Sequence, residues 1–202
     1  MSVRLTLDER GVATLLIDRA TRRNALDSAT VQALTHAARG LQSAPSLRAV
    51  VLRSAGDAAF SAGADVTELT SLTADSARPF ITRIHDACAA LRDIPVPVIA
   101  RIQGHTLGAG LEIAAACDIR IASGTARFGM PEVRLGIPSV VEAALLPSLI
   151  GWGRTRWLLL TGQTIDAAIT RGIDRFAQAW ETDEPPRMIA AFRKRQPPRT
   201  ST

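Results

Sequence analysis

The sequence has few of the residues that build metal sites, disulfide frameworks and aromatic surfaces. Its 202 residues include two cysteines, three histidines and no tyrosine, and only 4% are aromatic. Cys88 and Cys117 are far apart and belong to no C-x-x-C motif, so we expect small core residues in a reducing compartment. The histidines stand at positions 36, 85 and 105 without a ligand neighbour at metal spacing. No metal site is predicted.

Lysine is almost absent. Lys194, in a charged tail, is the single lysine among 24 basic residues, which excludes Schiff-base chemistry from the candidate reactions. The net charge is +5, yet no basic run is interleaved with aromatic residues, so nucleic-acid binding is not predicted. The sign of the charge suits an acidic or phosphorylated ligand.

Long apolar runs and the common nucleotide or hydrolase motifs are missing. No run approaches the ~20 residues of a membrane-spanning helix. The first residues carry charges where a signal peptide is apolar, so we expect a cytoplasmic protein. Walker A, G-x-S-x-G and H-E-x-x-H motifs do not occur, and Ile113 stands where a dinucleotide fingerprint needs Gly or Ala.

What is present is an alternation of strand-like and helix-like segments, which predicts an α/β fold. Residues 3–7 and 12–17 indicate a hairpin, and Asp27 is the expected cap of the first helix. Further strands are expected at 47–52, through Ile102 and at 119–122. Further helices are expected from Val66, and at 77–92, 140–150, 154–160, 167–180 and 187–195.

The most informative stretch runs from residue 104 to residue 132. Glycines at 104, 108 and 110 lead into an apolar run that contains Glu112, and Glu132 follows a Met-Pro pair. A Gly-rich turn that opens a helix leaves backbone N–H groups unpaired, and these stabilise negative charge. Two carboxyls at such a place suit proton transfer in a reaction that passes through an oxyanion.

A second stretch, FSAGAD at residues 60–65, fits the same site. Gly63 frees the backbone, so the N–H of Ala64 can point inward and converge with the N–H of Ala109. Structural alternatives remain for the acidic residues taken singly. Glu112 is also a plausible partner of the helix dipole, Glu132 a surface residue, and Asp65 a helix cap.

The segments FSAGAD, GHTLGAGLEIAAACDIRIAS and ARFGMPEVRLGIP, in this order, resemble the crotonase family of enoyl-CoA hydratases and isomerases. The likeness covers residues 12–166, and the sequence RNAL at 23–26 matches the family's CoA-binding turn. It implies a crotonase-like (ClpP/crotonase) superhelix of β-β-α units. Residues 1–165 would form the core domain, and residues 166–202 a shortened C-terminal helical segment and tail.

The resemblance also implies site residues and a reaction. The amides of Ala64 and Ala109 would form an oxyanion hole, Glu112 would activate water and Glu132 would donate a proton. Together they would hydrate a 2-enoyl-CoA, with coenzyme A as part of the substrate and no other cofactor. The substrate-binding residues would be Arg23, Asn24, Ala25, Leu26, Ala62, Gly63, Asp65, Gly108 and Gly110.

The likeness breaks after Thr164. Family members usually continue for longer, so we expect an internal loss of several tens of residues between positions 168 and 169. Three alternatives therefore stay open: an enoyl-CoA isomerase, an acyl-CoA hydrolase, and a shortened protein that binds acyl-CoA without turnover. The family also implies a homotrimer or hexamer.

Overall fold

Two β-sheets organise residues 2–167, the part of the chain that the structure, a computed structural model, describes. The strands are β1 (Val3–Leu7), β2 (Val12–Ile17), β3 (Ala49–Ser54), β4 (Ala59–Ser61), β5 (Val98–Ile102), β6 (His105–Leu107), β7 (Ile119–Ala122), β8 (Arg127–Gly129) and β9 (Thr164–Asp166). The helices are α1 (Ser28–Leu41), α2 (Val66–Leu69), α3 (Ala74–Arg92), α4 (Ala109–Ala115) and α5 (Leu146–Thr161). The expected α/β class is confirmed.

The first sheet has the strand order β1-β2-β3-β5-β7. β1 and β2 form the predicted antiparallel hairpin, and the other neighbours are parallel. Alternate residues of β2 and β3 are buried, as the two-residue period of a strand requires. Together with the apolar sides of α1 and α3 they form the main core.

The second sheet, in the order β4-β6-β8-β9, positions the site. β4, β6 and β8 are parallel, and β9 is antiparallel to β8. Because parallel strands end at the same edge of a sheet, the segments that follow Ser61 and Leu107 lie side by side. These segments carry Ala64 and Ala109. The strands of this sheet have only three residues each, too few to show an alternating pattern in the sequence.

The helix starts follow side-chain caps. Asp27 accepts a hydrogen bond from the N–H of Thr30, which confirms the predicted cap of α1. Thr73 and Ser76 form a capping box, so α3 begins at Ala74, three residues before the expected start. The strand expected at 47–52 lies two residues later, at Ala49–Ser54.

The region after residue 140 differs from expectation. Val141–Leu145 is a 3₁₀ turn instead of the start of a helix, and α5 follows it directly. Gly151 has φ 79° and ψ 156° within α5, so the break predicted at Gly-Trp-Gly is a kink at one residue. None of the helices within residues 2–167 is long and apolar enough to cross a membrane.

Several expectations fall beyond residue 167. The helices expected at 167–180 and 187–195, and the junction between 168 and 169, lie outside the described residues. The division of the chain at residue 165 therefore stays a prediction.

Candidate active site

A cavity of about 150 Å³ opens where the loops after β4 and β6 meet α2, α3 and residues 131–140. It brings together a large part of the predicted site. The predicted site residues that line it are Ala62, Gly63, Ala64, Gly108, Ala109, Glu112 and Glu132. The predicted residues that do not line it are Arg23, Asn24, Ala25, Leu26, Asp65 and Gly110.

The backbone of Ala64 is oriented by a bridge to Leu26. The N–H of Leu26 donates to the carbonyl of Gly63 at 2.8 Å, and the N–H of Asp65 donates to the carbonyl of Leu26 at 3.0 Å. Because successive peptide groups of an extended chain alternate in direction, the N–H of Ala64 points away from Leu26. Within residues 2–167 no hydrogen bond occupies it.

Ala109 supplies the second amide. It is the first residue of α4, so its N–H has no partner inside the helix, and none is found elsewhere in the described chain. A β-carbon on Gly63 would lie 2.8 Å from the carbonyl oxygen of Leu107 and 3.7 Å from the nitrogen of Ala109. Glycine at 63, with φ +92°, therefore allows the two loops to approach each other closely.

Glu112 lies in the first turn of α4 and is 4% exposed. Its Oε1 accepts a hydrogen bond from the N–H of Ala143 at 3.1 Å. Burial raises the pKa of Glu112 to about 8; the Ala143 bond opposes the rise, and the charges of Glu132 and Glu142 add to it. A carboxyl group with this pKa exchanges protons near neutral pH.

Glu132 reaches the same cavity from a 3₁₀ turn, Pro131–Leu135. Its carboxyl lies against Gly108, where a β-carbon would overlap Oε1 of Glu132, and its Oε2 accepts a hydrogen bond from Ser139 at 3.1 Å. Burial raises its pKa, although the Ser139 hydroxyl and its own backbone N–H oppose the rise. The charge of Glu132 in turn adds to the rise of the Glu112 pKa, so the two carboxyls lie close enough to influence each other.

The turn at residues 23–26, which was expected to bind CoA, uses the polar side chain of Asn24 for contacts within the protein. The side chain of Asn24 accepts from the N–H of Arg19 at 3.0 Å and donates to the carbonyls of Ala55 and Ala59, both at 2.9 Å. Leu26 is fully buried in the core. Arg23 alone presents an exposed side chain here, so it is the residue of this turn that remains free to meet a ligand.

Asp65 is a helix cap, the structural alternative to its predicted substrate-binding role. Its carboxylate caps α2 through the N–H of Thr67 at 3.0 Å and pairs with Arg19 at 3.2 Å. Burial opposes the ionisation of Asp65, but Thr67 and Arg19 outweigh it and hold its pKa below the usual value. Gly110 is also structural: a β-carbon there would lie 2.6 Å from Cβ of Ser61, so glycine lets α4 pack on β4.

A third buried carboxylate, Glu142, was not predicted from the sequence; it is 4% exposed. Its Oε1 contacts Nδ1 of His85 at 3.1 Å and Nη1 of Arg92 at 2.8 Å. A single acidic residue inside the apolar run 140–146 was the available signal, and Glu112 has the same kind of surroundings in the sequence. Across residues 2–167 no cluster of three or more His, Cys, Asp or Glu residues is arranged to hold a metal ion.

Comparison with known proteins gives consistent matches. The sequence profile of the enoyl-CoA hydratase/isomerase family matches residues 8–173. A methylglutaconyl-CoA hydratase of Mus musculus is 32% identical over 188 residues, which are 93% of this chain and 59% of that protein. A short-chain-enoyl-CoA hydratase of Clostridium acetobutylicum is 39% identical over 163 residues, 80% of this chain and 62% of that protein.

A solved enoyl-CoA hydratase from Mycobacterium smegmatis superposes with a TM-score of 0.81 at 32% identity. The superposition covers 85% of this chain and 67% of that one. The chain spans about 60% of the length of the curated relatives it matches. The superposition shows that the fold is shared with that enzyme.

Proposed function

The chain belongs to the enoyl-CoA hydratase/isomerase family, and from that premise we propose that it adds water across the 2,3 double bond of a 2-enoyl-CoA. One observation supports this most directly. Two unoccupied backbone amides and two carboxyls with raised pKa values line a single cavity. Such a set can stabilise an oxyanion and move protons at the same place.

The amides of Ala64 and Ala109 would hold the thioester oxygen. Hydrogen bonds to that oxygen draw electrons from the conjugated double bond, so C3 becomes electrophilic. When water attacks C3, the negative charge develops on the oxygen between the two amides. Loss of one such donor typically costs about 3 kcal/mol of transition-state stabilisation.

The glutamates would handle the protons. The water oxygen bonds to C3, Glu112 takes a proton from that water, and Glu132 delivers a proton to C2, so the product is a 3-hydroxyacyl-CoA. Afterwards Glu132 has one proton fewer and Glu112 one more. Proton exchange with solvent restores the starting protonation state of each carboxyl. No step needs a metal or redox cofactor, and coenzyme A serves as the handle of the substrate.

The cavity wall favours an uncharged acyl group. Its apolar side chains include Val66, Leu69, Phe80, Ile84 and Leu135, and no basic side chain lines it within the described residues. A carboxylate at the far end of an acyl chain would be buried there without a partner, which is costly. Crotonyl-CoA is therefore a better proposed substrate than a dicarboxylic enoyl-CoA.

Turnover of crotonyl-CoA tests the proposal. We expect loss of the conjugated thioester absorbance and formation of 3-hydroxybutyryl-CoA. Glu112→Gln and Glu132→Gln should each lower kcat by roughly 10²- to 10⁴-fold. Asp18→Asn, which removes the partner of Arg4 at the surface, is the control and should leave the rate unchanged. Full turnover in both glutamine variants would contradict the roles.

The main rival is an acyl-CoA-binding protein without turnover. Calorimetry with crotonyl-CoA on the sample used for kinetics separates the two. Binding without product would establish the rival. Release of free CoA would indicate a hydrolase, and a shifted double bond an isomerase. A homotrimer or hexamer and a cytoplasmic location complete the proposal, and mass measurement in solution tests the assembly.

A further inference from the structure

Glu142 is buried beside the candidate site but does not line the cavity. It lies in the 3₁₀ turn Val141–Leu145 and faces α3. Arg92 donates to its Oε1 at 2.8 Å, and Nδ1 of His85 lies 3.1 Å from the same oxygen. Since a buried carboxylate is tolerated only when it is paired, these two contacts fix the turn to the helix.

The residue next to Glu142 contacts the catalytic candidate. The N–H of Ala143 is shared between the carbonyl of Val140, at 3.2 Å, and Oε1 of Glu112, at 3.1 Å. Among residues 2–167 this is the hydrogen bond that holds the carboxyl of Glu112. Of two consecutive residues, Glu142 therefore binds α3 and Ala143 binds the carboxyl of Glu112.

The turn needs such an anchor. Val141 is a β-branched residue with φ +58°, a strained conformation that persists only where the surroundings enforce it. The second oxygen of Glu142, Oε2, is excluded from solvent and has no hydrogen-bond partner among the described residues. An unsatisfied buried oxygen is expensive, so stability alone does not explain a glutamate here.

We propose that Glu142 is a positioning residue for the hydration reaction: it ties the turn to α3 and so holds the amide of Ala143 on Glu112. Its negative charge also acts on Glu112. The other charged or titratable groups around Glu142 are His85, Cys88 and Arg92, all on α3. Phe80 and Ile84 of the same helix line the cavity, so the acyl wall and the glutamate share one support.

The kinetic part of the test rests on the proposed hydratase function, and two variants separate the two effects. Glu142→Ala removes both the tether and the charge, whereas Glu142→Gln keeps an oxygen for Arg92 and removes only the charge. We expect Glu142→Ala to lower kcat by roughly 10- to 100-fold with little change in KM, since small misplacements of a reacting group cost this much. Glu142→Gln should stay within a few-fold of wild type.

A pH profile and a titration provide the readout that a merely structural residue would not move. In Glu142→Gln, the acidic limb of kcat and the NMR titration of the Glu112 carboxyl should both shift to lower pH, because a neighbouring negative charge is gone. Asp18→Asn is the matched loss of a carboxylate away from the site. If Glu142→Ala does not fold, Arg92→Met, which loses the half-exposed partner, replaces it.

The outcomes separate the two claims. If wild type forms no 3-hydroxybutyryl-CoA, the hydratase proposal fails, yet the Glu112 titration in wild type, Glu142→Gln and Asp18→Asn still decides whether the charge of Glu142 acts on Glu112. If Glu142→Gln titrates like Asp18→Asn, that charge effect is overturned. If Glu142→Ala loses thermal stability while kcat is retained, the positioning role is overturned. A shifted titration together with a selective loss of kcat supports it.

Discussion

The predicted site divides into two halves, both assigned by the same family resemblance, that differ in the structure. In the inner half, the amides of Ala64 and Ala109 are unoccupied, and Glu112 and Glu132 face an apolar cavity. The outer half comprises residues 23–26 and Asp65. There the side chain of Asn24 forms hydrogen bonds with backbone groups elsewhere in the chain.

The difference lies in what each half does with its polar groups. Burial in the inner half raises the pKa values of both glutamates, a cost that a purely structural site would avoid. In the outer half hydrogen bonds satisfy the polar groups, and the pKa of Asp65 falls. The inner half thus keeps two amides without hydrogen-bond partners and two carboxyls with raised pKa values, whereas the outer half uses its polar groups to hold the fold.

Among variants that leave both glutamates in place, the largest expected effect comes from Gly108→Ala. The new methyl group would overlap Oε1 of Glu132, so the carboxyl must move, and kcat should fall roughly 100-fold. Gly151→Ala is a matched control, because Gly151 also has a positive φ but no atom within 4 Å of a β-carbon. Crotonyl-CoA kinetics of both variants measure the difference. Equal losses would mean that backbone strain, not the carboxyl, sets the rate.

Asn24→Ala should act on stability instead of catalysis. It leaves the carbonyls of Ala55 and Ala59 without their donor, which costs roughly 1–3 kcal/mol of unfolding free energy. Gln103→Ala, which loses two similar bonds nearer the surface, should cost less. Denaturant unfolding and kcat are measured on the same samples. A large loss of kcat at unchanged stability would place Asn24 in the reaction.

The third expectation concerns the stability of Glu112→Gln. Because the pKa of Glu112 rises from 4.5 to about 8 on folding, the folded state holds this proton more tightly than the unfolded chain. The stabilisation is complete below pH 4.5 and is lost as pH rises toward 8. Glutamine does not ionise, so the free energy of unfolding of the variant should exceed that of wild type by roughly 1 kcal/mol or more at pH 8. Identical pH dependence of Tm in the two proteins would contradict the raised pKa.

The smallest effect belongs to Arg23→Gln. Arg23 is the exposed side chain of the outer half, so loss of a contact to the CoA moiety would raise KM by a few-fold at unchanged kcat, about 1 kcal/mol or less. Arg39→Gln, exposed on α1, is the control. An unchanged KM would mean that the outer half does not bind CoA and serves only the fold.

The sequence predicted the parts of the molecule whose signals are local. The hairpin, the cap Asp27 and the strand Ile119–Ala122 follow from alternation and capping chemistry, and the cap Asp65 was the structural alternative to its predicted binding role. The three-residue strands of the second sheet have no periodicity, so the element that aligns Ala64 with Ala109 could not be predicted that way.

The site was predicted through its resemblance to a family, and that resemblance does not distinguish the two halves. Whether Asn24 faces a ligand or its own backbone depends on contacts 31 and 35 residues away in the chain. Glu142 was missed for the same reason, because its partners lie on α3, 50 and 57 residues earlier. Long-range contacts decide such roles, and no local pattern encodes them.

The most direct test of the central claim is the carbonyl stretching frequency of bound butyryl-CoA labelled with ¹³C at the thioester carbon. Two hydrogen bonds from the amides of Ala64 and Ala109 should polarise the carbonyl and shift its band to lower frequency than in water. A band at or above the frequency in water would show that the amides do not hold the thioester oxygen, and the account would be wrong.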